Sequence, residues 1–313
     1  MENRSLTPQE VADTLKISKC TVYELIKRRE LNGYRVGNKV RVDSDDVEEY
    51  KNKTKHVKSK AKIIMSEITG PAEFELNQNE NSFIICGQDS LLDTLCRYLG
   101  HQHNAATQRA YENSYFALSA LYRGDIQVAA THMWDGKTDL YNTPYVERLL
   151  PGIPAVIIHL AHRIQGFYVV KGNPKAIRGW DDLKRKDITI INREAGSGTR
   201  VLLDQHLKIM GLPSGEIKGY TRETFSPMVI TGSIVKGHAD LGIGIELPFL
   251  QTRELEFIPI QHEDYDLVVK KENFGSPIIQ AMIQIIQSED FRLEMHGING
   301  YDLSDAGKIV AET

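Results

Sequence analysis

The sequence predicts an α/β protein in two unequal parts, a small basic head of short helices with a β hairpin and a larger body of parallel strands alternating with helices. Three observations predict it. Capped helix starts at Thr7 and Ser18 are followed by a hairpin signal at Gly37-Asn38-Lys39. A short apolar run ending in a polar or glycine exit recurs at 82–87, 126–132 and 188–198, and helical spacing follows the first and the last. Between the two regimes, six of the twelve residues from Lys51 to Lys62 are lysine.

Length and composition bound the answer. At 313 residues the chain is long enough for two or three folding units, each with its own core. An apolar content of 41% and a charged content of 26% are those of a globular protein. The longest apolar stretch, Pro154 to Ala161, is broken by His159 and is too short to span a bilayer. The start Met-Glu-Asn-Arg-Ser has no apolar segment, which predicts a cytosolic protein with no membrane partner. Cys20, Cys86 and Cys96 form no C-x-x-C pair and are expected to be small buried hydrophobes. Residues 1–65 carry 15 Lys and Arg against 10 Asp and Glu, whereas the remainder carries 23 against 32. Only the head is therefore suited to a polyanion. The lysine-rich stretch reads either as a solvated linker or as a phosphate-contacting extension.

Within the head, Thr7 precedes Pro8, Gln9 and Glu10, a capped start with Pro at the first helical position. Val11, Ala12 and Leu15 share a face, and after Ser18 the residues Val22, Leu25 and Ile26 repeat at three-four spacing. Alternation in Tyr34-Arg35-Val36 and Val40-Arg41-Val42 on either side of a Gly-Asn turn predicts a hairpin, and a further helix is expected from Ser44 through Tyr50. Two helices and a basic hairpin are the parts with which small domains place one helix in the DNA major groove. The stretch LTPQEVADTLKISKCTVYELIKRRELNGYRVGNKVRVDSDDVEEY resembles the winged helix-turn-helix of the excisionase and MerR-type family. That resemblance implies Ser18, Lys19, Thr21 and Tyr23 facing DNA, Lys27 and Arg28 near phosphates, and Arg35, Asn38, Lys39 and Arg41 holding the backbone from the wing. Base-edge contacts carry sequence information, so Lys19 and Tyr23 are the candidates for specificity. A helix-turn-helix used for protein contacts is the alternative.

In the body, Phe83-Ile84-Ile85-Cys86, Ile126 to Ala130 and Ile188 to Ile191 are the expected strands, with sites at their carboxyl ends. No G-x-G-x-x-G follows a strand, and Walker A and G-x-S-x-G sequences are absent, which removes the commonest nucleotide and hydrolase readings. The segments NSYFALSALYRGDIQVAATHMWD, YNTPYV, RIQGFYVVKGNP, NREAGSGTRVLLD and GHADLGIG together resemble a periplasmic-binding-protein-like ligand-sensing domain, of the type II, molybdate/tungstate-receptor-like kind. The resemblance implies two α/β lobes joined by crossover strands with a ligand cleft between them. It predicts a DNA-binding domain over 1–54, a linker over 55–80 and a ligand-binding domain over 81–313. Lobe I would take about 81–165 plus 250–313 and lobe II about 166–249, with a first crossing near Gln165 to Val169 and a return after Leu241 to Ile245.

The stretch TIINREAGSGTRVLL is the leading candidate for the site. Ser197 is placed to cap a helix while its hydroxyl and the N–H groups of Gly198 and Thr199 face outward, a geometry suited to a tetrahedral oxyanion or a carboxylate. Gly196 and Gly198 allow close backbone approach, and Arg193 and Arg200 flank the turn as charge-assisted forks. The same residues also make an ordinary helix cap; the resemblance to the turns of extracytoplasmic phosphate and tungstate receptors selects the anion cradle. Ser90 and Ser114 sit at comparable helix starts, Thr131 and His132 at a strand exit, and Tyr168 and Tyr265 at the cleft or in the packing beneath it. Asn113 and Phe225 depart from the resemblance, which has a glycine and a histidine at the equivalent steps.

The expected protein is a cytosolic one-component transcription regulator that binds double-stranded DNA and a small anion, with no catalytic residue, metal or cofactor. The resemblance makes molybdate or tungstate the leading ligand, with a small organic anion or cofactor precursor as the alternative. An enzyme acting on a phosphorylated substrate, with Ser197, Thr199 and Arg200 as cradle and Glu194 as the adjacent acid or base, is a different class. An excisionase-like architectural protein is a third. A homodimer is expected because two-fold operators mirror two-fold proteins.

Overall fold

The computed structural model describes residues 5–27, 31–37, 39–47, 50, 82–296 and 300–313, without the side chains of Cys20, Glu24, Lys27, Arg35, Val36 and His296. Arg28, Asn38, the lysine-rich stretch and the expected linker over 55–80 lie outside the described residues, as do the side chains of Lys27 and Arg35. The chain divides into two compact units, Met1–Leu76 and Asn77–Thr313.

In the first unit, β1 (Ser5–Leu6) leads into α1 (Pro8–Leu15) and α2 (Lys19–Lys27), followed by β2 (Tyr34–Val36), β3 (Lys39–Asp43) and helical residues 44–47, here α3. Thr7 and Glu10 close a capping box with Pro8 at the first helical position, and Lys16 ends α1 in the left-handed region at φ 54°. These reciprocal bonds satisfy the orphan donors of the first turn, so a helix of only two turns starts at a defined residue. Ser18 Oγ accepts from the Thr21 amide at 3.1 Å and so caps α2. The sheet runs β1-β3-β2, one strand more than the hairpin expected from the sequence; Ser5 pairs with Asp43 and Leu6 with Val42. Val11, Ala12, Val22, Leu25, Leu31, Val42 and Val47 form the core. Burying that face leaves Ser18, Lys19, Thr21, Tyr23 and Lys39 exposed, with Arg41 half-buried.

The second unit is an α/β body on one curled nine-stranded sheet. Its elements up to the first crossing are β4 (Phe83–Cys86), α4 (Leu91–His103), β5 (Thr107–Ala110), α5 (Ser114–Arg123), β6 (Val128–Thr131), the hairpin β7 (Trp134–Asp135) and β8 (Leu140–Tyr141), α6 (Thr143–Leu149) and β9 (Ala155–Val170). There follow β10 (Ile190–Arg193), α7 (Gly198–Ile209), β11 (Glu223–Thr224), α8 (Pro227–Val235), β12 (Leu241–Ile245), α9 (Glu246–Leu250) and β13 (Leu255–Lys270). Helices α10 (Lys271–Phe274), α11 (Pro277–Gln287) and α12 (Glu289–His296) and strand β14 (Ile309–Glu312) complete it. The strand order is β11-β10-β12-β9-β13-β6-β4-β5, with β14 also paired to β9.

Two 16-residue antiparallel strands, β9 and β13, run through the middle and join two parallel flanks. At one end β13 pairs with β6, which continues to β4 and β5; at the other end β9 pairs with β12, which continues to β10 and β11. Each flank has its own core. Ile85, Leu92, Leu95, Ile158, Leu267 and Met282 belong to the first, and Phe167, Leu203, Leu207, Leu241 and Ile243 to the second. Separate cores at the two ends of a shared strand pair are what make two lobes. Cys86 and Cys96 are free and buried in the first lobe, and burial pushes the Cys86 thiol up to about 12.

Candidate ligand-binding site

Where the strands cross between lobes, polar residues interrupt β9 and β13 and face one cleft. Gln88, Asp89, Glu112, Asn113, Ser114, His132, Arg163, Arg193, Ser197, Thr199 and Tyr265 line it, with Ala130, Pro227 and Ile243 to Ile245 as its apolar wall. Its cavity volume is about 80 Å³, room for several waters at ~10–15 Å³ each, or for one small ion.

Two helix starts from opposite lobes converge there. Asn113 caps α5 by accepting from the Phe116 amide, and Ser197 caps α7 by accepting from the Arg200 amide. The first turns of such helices carry orphan N–H groups and a partial positive charge. Among the described residues, the amides of Ser114, Gly198 and Thr199 have no acceptor. Three hydroxyls add donors by the same logic. Ser114 Oγ accepts from the His132 amide at 3.3 Å, Ser197 Oγ from the Arg200 amide at 3.2 Å and Thr199 Oγ1 from Gln165 Nε2 at 3.2 Å. Because each oxygen accepts, each O–H proton remains to be donated into the cleft.

The lobes touch across this site. Asn113 Nδ2 donates to the Ala195 carbonyl at 3.3 Å, and the Tyr115 amide donates to the Gly196 carbonyl at 3.1 Å. Gly196 stands at φ +90° and Gly198 packs so closely on His132 that a Cβ there would overlap its carbonyl oxygen and ring. Glycine is required at both, by backbone conformation at the first and by close approach at the second.

The cations of the cleft are already paired. Arg163 is buried between Asp89, at 2.5 Å, and Glu263, and its guanidinium lies 3.9 Å over the Tyr265 ring. Burial pushes the Glu263 carboxyl up, but the charges of Arg163 and His132 and the hydrogen bonds from His132 and Gln165 hold it at about 2. His132 Nδ1 sits 2.7 Å from Glu263 Oε2. Arg193 pairs with the buried Glu194 at 2.8 Å and donates to Gln88 Oε1 at 2.6 Å. Glu112 makes no ion pair among the described residues; burial, then the charge of Glu194, pushes its carboxyl up. The cleft therefore offers neutral donors and one unpaired carboxylate rather than a free arginine.

Of the residues expected from the sequence, Ser114, His132, Arg193, Ser197 and Thr199 come together in this lining, with Gly198 abutting it. Four are elsewhere. Arg200 turns away to Asp204, Glu223 and the Arg193 carbonyl, with its guanidinium over the Tyr220 ring. Tyr168 is fully buried under Gly244 and donates to the Ile245 carbonyl. Thr131 is buried with no partner for its hydroxyl among the described residues. Ser90 is exposed and makes no side-chain cap, which Asp89 supplies by accepting from the Leu91 amide at 2.8 Å. Sequence reasoning missed Gln88, Asp89, Glu112, Arg163, Gln165 and Glu263. The available signal was the polar pair Arg163 and Gln165, at alternate positions of a strand whose other polar side chains are His159 and His162. Asn113, where the resemblance has a glycine, is the α5 cap and a cross-cleft donor. Phe225 is exposed, and its carbonyl accepts from Arg193 at 3.5 Å.

Comparison with known proteins accounts for the two-part architecture. A family model described as PBP superfamily domain matches residues 97–287, and one described as Helix-turn-helix domain matches residues 5–55. The Uncharacterized protein YvgK of Bacillus subtilis (strain 168) is 38% identical over 312 residues, covering 100% of this chain and 99% of its own. An ABC-type phosphate transport receptor from Vibrio cholerae superposes with a TM-score of 0.50 at 16% identity, covering 70% of this chain and 98% of that one. An ancestral arginine-binding protein bound to arginine gives a TM-score of 0.52 at 13% identity, covering 70% and 99%. At those identities the likeness is one of fold. Among the described residues no helix is long and apolar enough to cross a membrane. A model covering more than half of the chain, together with a full-length relative, shows that this protein belongs to the family of the PBP superfamily domain, joined to an N-terminal helix-turn-helix domain.

Proposed function

We propose that the chain is a one-component transcriptional regulator whose helix-turn-helix head binds double-stranded DNA and whose two-lobed unit senses a small oxyanion, with molybdate or tungstate as the leading ligands. The observation that carries this reading is the convergence of two helix starts from opposite lobes, with three hydroxyl donors, on one cleft. A ligand bridging them favours closure by its difference in affinity for the closed and open states. Fully ionised tetrahedral anions accept at every oxygen and suit the hydroxyl and amide donors of the two helix starts, whereas a protonated phosphate would in addition find an acceptor in Glu112. Ser114, Ser197, Gly198 and Thr199 are the proposed contacts; His132, Arg193 and Glu263 hold the cradle in place.

The test is the thermal stability of the purified chain against molybdate, tungstate, sulfate, phosphate and small carboxylates. A ligand at a hundred times its Kd adds about 2.7 kcal/mol. A saturable rise with molybdate or tungstate, lost in Ser197→Ala/Thr199→Ala, is expected; no saturable shift with any anion would remove this reading. Glu112 favours one second reading, a small organic anion whose carboxylate takes the helix starts while a cationic or donor group meets Glu112. A shift confined to such molecules would select it.

A further inference from the structure

Outside the cleft, the same two crossing strands carry a second polar cluster. One ring nitrogen each from His159 and His162 and a carboxylate oxygen of Asp264 lie within 4.8 Å of one another. Residues three apart on a regular strand point to opposite faces, and the register shows why these do not. Tyr265 pairs with Ala161 and Asp266 with His159, so Leu160 is an extra residue in β9, a bulge that resets the alternation. The two imidazole rings are 4.0 Å apart between centroids.

The surroundings are those of a prepared ligand set. His159 is buried; its Nδ1 is 2.8 Å from Asp266 Oδ1, and its Nε2 has no hydrogen-bond partner among the described residues. A buried imidazole nitrogen without a partner has lost its hydration with nothing in return, so a ligand there is favoured. A carboxylate on one ring nitrogen with the other left open is how proteins orient histidine ligands toward a metal. Asn142 Nδ2 holds that carboxylate, donating to Asp266 Oδ2 at 2.7 Å and also to the Asp264 carbonyl at 3.1 Å. His162 Nδ1 lies 2.8 Å from Asp264 Oδ1, and its Nε2 lies 3.8 Å from Asp305 Oδ2. His162, Asp264 and Asp305 are each partly exposed, so an ion has a path in.

We propose that His159, His162 and Asp264 bind a divalent transition-metal ion of the zinc class, separate from the interlobe cleft, with Asp266 and Asn142 supporting the ligands and Asp305 placed to complete the shell. Two imidazoles and a carboxylate suit Zn²⁺, Co²⁺ or Ni²⁺, whereas Mg²⁺ and Ca²⁺ take oxygen ligands. Tetrahedral bonds of about 2.0–2.2 Å set ligand atoms roughly 3.4 Å apart, so from separations within 4.8 Å no pair need close by more than about 1.4 Å on binding. None of the three ligands lines the cleft, although His162 and Asp264 adjoin Arg163 and Glu263 in sequence. The ion would also fasten β9 to the segment at Asp302, which exchanges two 2.9 Å backbone bonds with His162.

The test uses the full chain, stripped with a chelator and titrated with Zn²⁺ by calorimetry and with Co²⁺ by visible absorption, in the absence of any oxyanion. One Zn²⁺ per chain and the d–d bands of a low-coordinate Co²⁺ site are expected. His162→Ala, at a partly exposed position, should weaken Zn²⁺ binding about 100-fold and Asp266→Asn about 10–100-fold, while His101→Ala on α4 leaves it unchanged. Absence of stoichiometric uptake by the wild-type chain overturns the proposal, as does unchanged binding in His162→Ala that melts at the wild-type temperature. Because the probe is the metal alone, neither result depends on which anion the cleft takes.

Discussion

At the scale of single residues, the pairs around Arg163 decide most. Replacing Glu263 by Gln leaves Arg163 with Asp89 alone, and the expected cost is about 3 kcal/mol, the low end for a broken buried pair; urea denaturation at pH 7 measures it. The pH dependence follows from the sign of the shift. The folded carboxyl titrates at about 2 against an ordinary 4.5, so its contribution is complete above about pH 4.5 and is lost as pH falls toward 2. The wild-type acid limb should steepen in that window and the limb of Glu263→Gln should flatten. Glu112 has the opposite sign, its carboxyl raised by burial and Glu194. Glu112→Gln should therefore tighten a fully ionised oxyanion, by about tenfold or ~1.4 kcal/mol, measurable by calorimetry. Gly198→Ala should abolish binding, since the added methyl enters the His132 backbone.

At the scale of elements, the start of α5 has two separable duties. Asn113 caps the helix and also donates across the cleft to Ala195. Asn113→Ser keeps a cap but has no group to reach Ala195, whereas Asn113→Ala loses both. Only the alanine variant should lose stability, by about 1 kcal/mol, while both should weaken the ligand. Thermal melts paired with anion titrations separate the two effects. The capped helices of the head, the three parallel strands with polar exits and the start of α7 were legible in the sequence, because caps and periodicity are local. Arg163, Gln165 and Glu263 were not. Their roles depend on register between strands about a hundred residues apart, and on the extra residue Ile260 that shifts it.

At the scale of the whole molecule, the two units are expected to divide the work. A fragment over 82–313 should bind the anion as the full chain does, since every lining residue lies within it. In the full chain, Lys39→Ala should weaken all DNA binding and lower the salt slope by roughly one, while Lys19→Ala should relax sequence preference. Fluorescence anisotropy on specific and random duplexes across a salt series checks both. Equal losses for the two variants on both duplexes would contradict the assignment of base and phosphate contacts.

By itself the sequence determined the two-part organisation, the helix-turn-helix with its caps and the Gly-Ser-Gly-Thr helix start, because each rests on residues within a few positions of one another. Only the tertiary structure decided what that start faces. It set Ser197 and Thr199 opposite Ser114 and turned Arg200 outward to Asp204 and Glu223. It also gave both cleft arginines to buried carboxylates. The physical reason is that a buried cation must be paired where it lies: Arg193 takes the adjacent Glu194, whereas the partners of Arg163, Asp89 and Glu263, come from segments that meet only when the sheet forms.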